Sequence, residues 1–177
     1  MGKFKSLKAC LVYDANRYSI NSFRGLLRHI LFHSGYLALL IFRFQDFFTF
    51  TDRSLLARLI CVINFRISGC EFIPGCEIGA GVFLPHPSGI VIGKNVIVGP
   101  GCTIMQNVTI GQKSFSHELV GSGSPSIGKD VCIGAGSVIL GKVQIGNSST
   151  VGAMSLVLES FPANSKIIGN PARMRNS

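Results

Sequence analysis

Four histidines are the side chains here best able to move protons or hold metals: His29, His33, His86 and His117. An imidazole titrates near neutral pH and also ligates metals, so the surroundings of each decide which chemistry is open. His29 and His33 stand four apart in an apolar stretch with helical patterning. No carboxylate or cysteine completes a metal set there, so packing is expected for them. His86 lies in Leu84-Pro85-His86-Pro87-Ser88-Gly89, and His117 in a polar run between Gln112 and Ser124. The six cysteines contain no Cys-x-x-Cys pair and match no zinc spacing. Free thiols are therefore expected, with no disulfide or metal centre.

The element that must position His86 is a repeat. From about residue 70 an aliphatic or aromatic residue recurs every sixth position: Phe72, Ile78 and Leu84, then Ile92, Val98, Ile104 and Ile110, then Ile127, Ile133, Ile139, Ile145, Val151 and Val157. The residue two before each is small or β-branched almost throughout, which assigns Cys70, Cys76 and Cys102 to the core. Glycine follows most of these positions, except at every third one, so three hexads make a unit of 18 residues. We expect glycine to relieve the corner between two short strands by tolerating positive φ. So short a strand cannot bury an apolar face alone, so units must stack at about 4.8 Å into a triangular parallel β-helix. Two segments break the period: an insertion of two residues around Pro85–Gly89, and a longer loop, residues 112–125. Breaks in a rigid repeat are where function tends to sit.

Residues 1–68 read as a separate helical segment, 69–160 as the β-helix and 161–177 as a C-terminal tail. Apolar faces at Leu26, Leu27, Ile30 and Leu31, at Leu37–Ile41, and at Leu55, Leu56, Leu59, Ile60 and Ile63 carry the helical expectation. Arg43 interrupts the most apolar part, so a transmembrane span is not expected. Residues 1–68 hold ten Lys/Arg against three Asp/Glu, while residues 69–177 hold seven against five. Such a basic balance suits anionic lipid, acidic glycan or nucleic acid. Peripheral contact with an anionic membrane surface is the expectation, with packing of the helical faces on the repeat as the alternative, and no nucleic-acid partner is expected. With no secretory signal apparent, a cytoplasmic protein is expected, at the inner face of the membrane where that contact forms.

The run from Leu84 to Gly93, the run Ile104-Met105-Gln106-Asn107-Val108-Thr109-Ile110-Gly111 and the ending Ile168-Gly169-Asn170-Pro171-Ala172-Arg173 resemble the hexapeptide-repeat acetyltransferases of the serine O-acetyltransferase type. The resemblance covers roughly residues 66–175. It implies a left-handed β-helix, a mainly β fold with a short N-terminal helical segment. It further implies a homotrimer and acetyl-CoA as acyl donor with no metal. His86 would be the general base toward a hydroxyl, and Glu71, fifteen residues earlier, the carboxylate that orients it. Cofactor contacts would fall to Gly111 near the thioester, to Ala135 and Ala153 along the pantetheine arm, and to Arg173 near the phosphates.

The chain also departs from that pattern. Serine enzymes carry an Arg-His pair before a proline, where Gly123 and Ser124 precede Pro125 here. Pro85 stands where they place an aspartate. An amino acid would leave its charges unpaired, at a cost of several kcal/mol. The expectation is therefore a neutral acceptor, a sugar hydroxyl in bacterial surface polysaccharide (capsule, O-antigen or exopolysaccharide), with Pro85 and His117 lining its site. Serine O-acetylation in cysteine biosynthesis is the alternative. A β-helix metalloenzyme would need three histidines on neighbouring coils, which the repeat region does not offer.

Overall fold

The computed structural model of the chain describes residues 7–113 and 123–175. Four helices come first: α1 (Leu7–Arg17), α2 (Phe23–Phe32), α3 (Ser34–Phe50) and α4 (Ser54–Ser68). Gly69 then ends α4 at φ +73°, donating its N–H to the Phe65 carbonyl at 3.0 Å, and turns the chain into the repeat. A left-handed backbone at a helix end favours glycine, which meets no Cβ penalty.

The repeat forms three parallel faces. Face A stacks β1 (Glu71–Phe72), β3 (Val91–Ile92), β6 (Thr109–Gly111), β9 (Val138–Leu140) and β12 (Leu156–Val157). Face B stacks β2 (Glu77–Ile78), β4 (Ile97–Val98), β7 (Ser126–Ile127) and β10 (Gln144–Ile145). Face C stacks β5 (Thr103–Ile104), β8 (Cys132–Ile133), β11 (Thr150–Val151) and β13 (Lys166–Gly169), with β14 (Ala172–Met174) antiparallel at its end. The sixth-position residues point inward and are almost wholly buried, as are Cys70, Cys76 and Cys102. Burial pushes the thiols of Cys70 and Cys102 up to about 11 and that of Cys76 higher still, which makes them inert packing groups.

Pairing shows where the period fails. Val91 lies beside Glu71, two residues later than an 18-residue turn would put it, and Val138 lies beside Thr109 across the long loop. The period then shortens by two: Ile145 bridges Phe161, and Val151 pairs with Ile167. The segment read as a tail from residue 161 therefore continues the prism, with Phe161 and Ile167 in the core. The slip in phase hid both residues from a strict six-residue count.

The corner glycines have another purpose than the one expected. Those after the inward residues, such as Gly99 and Gly134, do not adopt positive φ; a Cβ there would strike the backbone of the next coil. The left-handed positions fall two residues further on and are held by Gly75, Gly101 and Gly136 but also by Asn95, Asn107, Asp130, Ser148, Met154 and Asn164. Asn and Asp tolerate that conformation better than other side chains.

The first coil has no coil before it, and the helices take that place. The carbonyl of Phe72 accepts from Gln45 Nε2 at 2.7 Å, that of Ile78 from Arg43 Nη1 at 2.6 Å, and that of Gly79 from Arg43 Nη2 at 2.7 Å. On the third side Leu84 donates its N–H to the Tyr18 hydroxyl at 2.9 Å. Arg43 also pairs with buried Asp14 through Nε at 2.8 Å, and Asp14 accepts from the Gly81 N–H at 2.8 Å. His29 and His33 stack at 4.3 Å, and His29 Nδ1 lies 2.9 Å from the Gly25 carbonyl.

α4 packs on α3 through small and polar residues: Ala57, Cys61, Asn64 and Ser68 are buried while Leu55, Leu59, Val62 and Phe65 are exposed. Among the described residues no single helix is long and apolar enough to cross a membrane; α2 and α3 reach that length only as a pair bent by 100°. Replacing Arg43 with Met should destabilise the fold by about 3–5 kcal/mol, because Asp14 is left as a buried unpaired charge. Urea unfolding followed by circular dichroism reads the loss, and the Asp14→Leu/Arg43→Met double variant should recover part of it.

Candidate active site

The break around His86 sits at the edge where face C turns into face A. Its neighbours on the coils that follow are the corners Met105–Asn107, Gly134–Gly136 and Gly152–Met154. Backbone rungs join them: Asn107 donates to the Ser88 carbonyl at 3.0 Å, Gly136 to Gln106 at 3.0 Å and Met154 to Ala135 at 2.8 Å. His86, Ala135 and Ala153 thus lie along one straight edge. From the first coil to the fourth that edge spans three strand spacings, on the order of 15 Å.

The break itself is held from two sides. Gly89 donates to the Gly69 carbonyl at 2.8 Å, which lays the insertion against the α4–β1 junction. A Cβ at Gly89, whose φ is +72°, would collide with Asn107 Oδ1, so the loop can lie this close only because the residue is glycine. Pro85 is half-buried and Pro87 buried, whereas the His86 side chain is exposed. Two prolines fix φ on either side of the histidine and reduce its freedom to swing.

Glu71 is half-buried at the start of face A, two residues beyond Gly69. The structure brings it to the same corner as His86 but forms no hydrogen bond or ion pair between them. Burial and the Glu71 carboxylate together raise the Cys61 pKa, which keeps that thiol protonated. Gly111 stands at the opposite edge of face A, where the long loop departs, and a Cβ there would meet nothing within 4 Å. Arg173 on β14 is exposed and pairs with Glu159 at 3.1 Å. So exposed a pair holds its partners loosely, leaving the guanidinium free to meet a stronger anion. His117 lies outside the described residues.

Gln106, which lies in one of the runs that carry the resemblance, was assigned no role of its own. It occupies the corner beside the break, and its Oε1 is buried with no hydrogen-bond partner, an unusual state for a buried amide. Tyr18 escaped notice too, since nothing local in α1 says that its hydroxyl reaches a strand 66 residues away. Among the described residues no group of three His, Cys, Asp or Glu side chains could hold a metal ion.

Comparisons with known proteins agree with this architecture. Residues 124–159 match the family model "Bacterial transferase hexapeptide (six repeats)". The serine acetyltransferase of Synechococcus elongatus is 33% identical over 151 residues, which are 85% of this chain and 61% of that protein. The soybean serine acetyltransferase apoenzyme superposes with a TM-score of 0.86 at 30% identity, covering 97% of this chain and 70% of that one. The soybean enzyme complexed with serine does so at 0.86 and 29%, over 97% and 70% of the two chains. The fold is the left-handed parallel β-helix, and the chain belongs to the hexapeptide-repeat transferases.

These relatives overturn the expected sugar acceptor and polysaccharide role: they are serine acetyltransferases, which favours the alternative. Pro85, Gly123 and Ser124 lack the amino-acid clamp of the serine enzymes, which is what favoured a neutral sugar. Loss of one clamp does not forbid another, and the 112–125 loop carries Lys113 and His117 close by in sequence.

The contrast among glycines gives a test. Gly134→Ala should cost about 1–3 kcal/mol, because its Cβ would sit 2.5 Å from the Ala153 nitrogen. Gly111→Ala should leave the thermal midpoint unchanged, since it opens onto free space. Differential scanning calorimetry of the two variants distinguishes them.

Proposed function

We propose that the protein is a serine O-acetyltransferase that uses acetyl-CoA as donor and His86 as general base. The observation that carries this reading is the edge shared by His86, Ala135 and Ala153, supported by serine acetyltransferase relatives along nearly the whole chain. The unpaired imidazole nitrogen takes the proton of the serine hydroxyl as its oxygen attacks the thioester carbonyl carbon. Collapse of the tetrahedral intermediate breaks the carbon–sulfur bond, and the imidazolium returns the proton to the departing CoA thiolate. Glu71, at the same corner though not bonded to His86 in this structure, would on closing onto the ring fix the useful tautomer and stabilise its charged form.

Small side chains at Ala135 and Ala153 let the pantetheine arm lie flat along the edge, with the thioester toward His86. Arg173 leaves Glu159 for a phosphate, which it can bind bidentately. Pro85 flanks the acceptor, and His117, outside the described residues, is the second candidate for contact with it. A homotrimer would bring a neighbouring prism against this edge and close the groove.

His86→Ala should lower kcat by about 10²- to 10⁴-fold with little change in CoA affinity, and Glu71→Gln should cost less. Thiol release with L-serine is the assay; full activity in the His86 variant would remove the mechanism, and no activity with L-serine would remove the acceptor. Arg173→Ala should weaken CoA more than dephospho-CoA, as isothermal titration calorimetry would show.

We extend the proposal to location. Exposed Leu55, Leu59, Val62 and Phe65 on α4, interleaved with Arg58 and Arg66, support peripheral contact with an anionic bilayer. Each cation near such a surface contributes roughly 1 kcal/mol. The protein should co-sediment with phosphatidylserine vesicles at low salt and release at high salt, and absence of binding would refute the contact.

A further inference from the structure

We propose that Tyr18 is a positioning residue for His86, acting through the backbone of Leu84; this rests on His86 being the base. The first coil pairs upward normally on this side: Phe83 donates to the Cys102 carbonyl at 2.8 Å, and Ile104 donates to the Phe83 carbonyl at 3.0 Å. Leu84, next along, turns its N–H and carbonyl toward the missing coil below. The Tyr18 hydroxyl stands in for that coil, accepting from the Leu84 N–H at 2.9 Å and lying 3.4 Å from the Leu84 carbonyl, to which it can donate. Burial raises the phenol well above its ordinary range, so the proton needed for donation stays in place.

Two further contacts fix this point. Tyr18 packs edge-on against Phe83 at 4.9 Å and Tyr36 at 5.4 Å. On α3, Gly35 lies so close that a Cβ would overlap the Leu84 carbonyl oxygen. Leu84 is the last residue of the regular coil before the break, and one residue, Pro85, separates it from His86. Because proline fixes φ, a shift at Leu84 passes to the histidine with little absorbed on the way. On the other side, the Gly89 bond to Gly69 anchors the end of the insertion. The direction of the imidazole is therefore set by where Tyr18 places Leu84.

Tyr18→Phe removes one oxygen and keeps the ring. It should lower kcat by about 10- to 100-fold, as small misplacements of a reacting group do. KM for acetyl-CoA should stay within about twofold, because the late coils are untouched. In a His86→Ala background the same change should alter the residual rate by less than about twofold, since a residue that acts through His86 has nothing left to act on. Tyr36→Phe, which alters the same aromatic cluster without touching Leu84, should keep its kcat.

Circular dichroism checks that the variants fold. Should Tyr18→Phe not fold, Phe83→Leu, which loosens the seat of Tyr18 at a half-buried position, takes its place in the same cycle. A wild-type kcat in Tyr18→Phe, equal losses with and without His86, or an equal loss in Tyr36→Phe would each overturn the positioning role and leave the base assignment standing. An active His86→Ala enzyme would overturn the base assignment, and this inference with it.

Discussion

A stack of parallel coils must begin somewhere, and its first coil exposes backbone groups that no earlier coil can satisfy. Left open, such an edge invites pairing with another chain, and buried carbonyls without donors cost free energy. Tyr18, Arg43 and Gln45 resolve the problem at Leu84, Ile78 and Phe72, one on each side of the triangle. The helical segment is therefore part of the prism's hydrogen bonding. Its polar residues are buried because the edge needs donors, which an apolar helix face could not supply. Asp14 completes the arrangement by neutralising Arg43 and capturing the Gly81 N–H, so that α1, α3 and the first coil meet at a single charge pair.

Above that cap the coils constrain each other. Backbone pairing fixes their spacing, and glycines such as Gly99 and Gly134 let the corners touch without a Cβ between them. A close-packed stack of this kind deforms little, so any residue on an edge keeps its place relative to residues on the coils above and below. An enzyme can use that property to hold the two ends of a long donor at fixed stations. The insertion at Pro85–Gly89 is where the chain leaves this lattice, and it does so between two anchors, Leu84 and Gly89.

Much of the fold was legible because the period repeats side-chain volume at every sixth residue, a pattern that survives without knowledge of tertiary contacts. The buried row from Phe72 to Val157 and the core assignment of Cys70, Cys76 and Cys102 follow from it directly. Phe161 and Ile167 were hidden because a two-residue slip changes phase without changing composition. The glycines were located correctly but for a reason that pairing geometry alone reveals: steric approach between coils leaves the same sequence mark as positive φ. The acceptor was misread for a related cause. Missing clamp residues are visible in a sequence, but their absence does not by itself exclude a charged acceptor. Tyr18 and Gln45 carried no signal because each owes its importance to a partner distant in sequence, and the run holding Gln106 does not reveal its orphaned atom.

A histidine on the first coil has surroundings that one in mid-stack would not share. Inner coils have both edges occupied by identical backbone, so a side chain there can be adjusted only by disturbing its neighbours on both sides. At the first coil one edge belongs to helices, which meet it through side chains instead of backbone. The stack thus holds one side of His86, and the helical cap holds the other. The contacts nearest His86 thus come from α1 and α3, whereas the edge carrying Ala135 and Ala153 is held by coils alone. On the proposed mechanism, acceptor geometry and donor binding rest on separate parts of one chain.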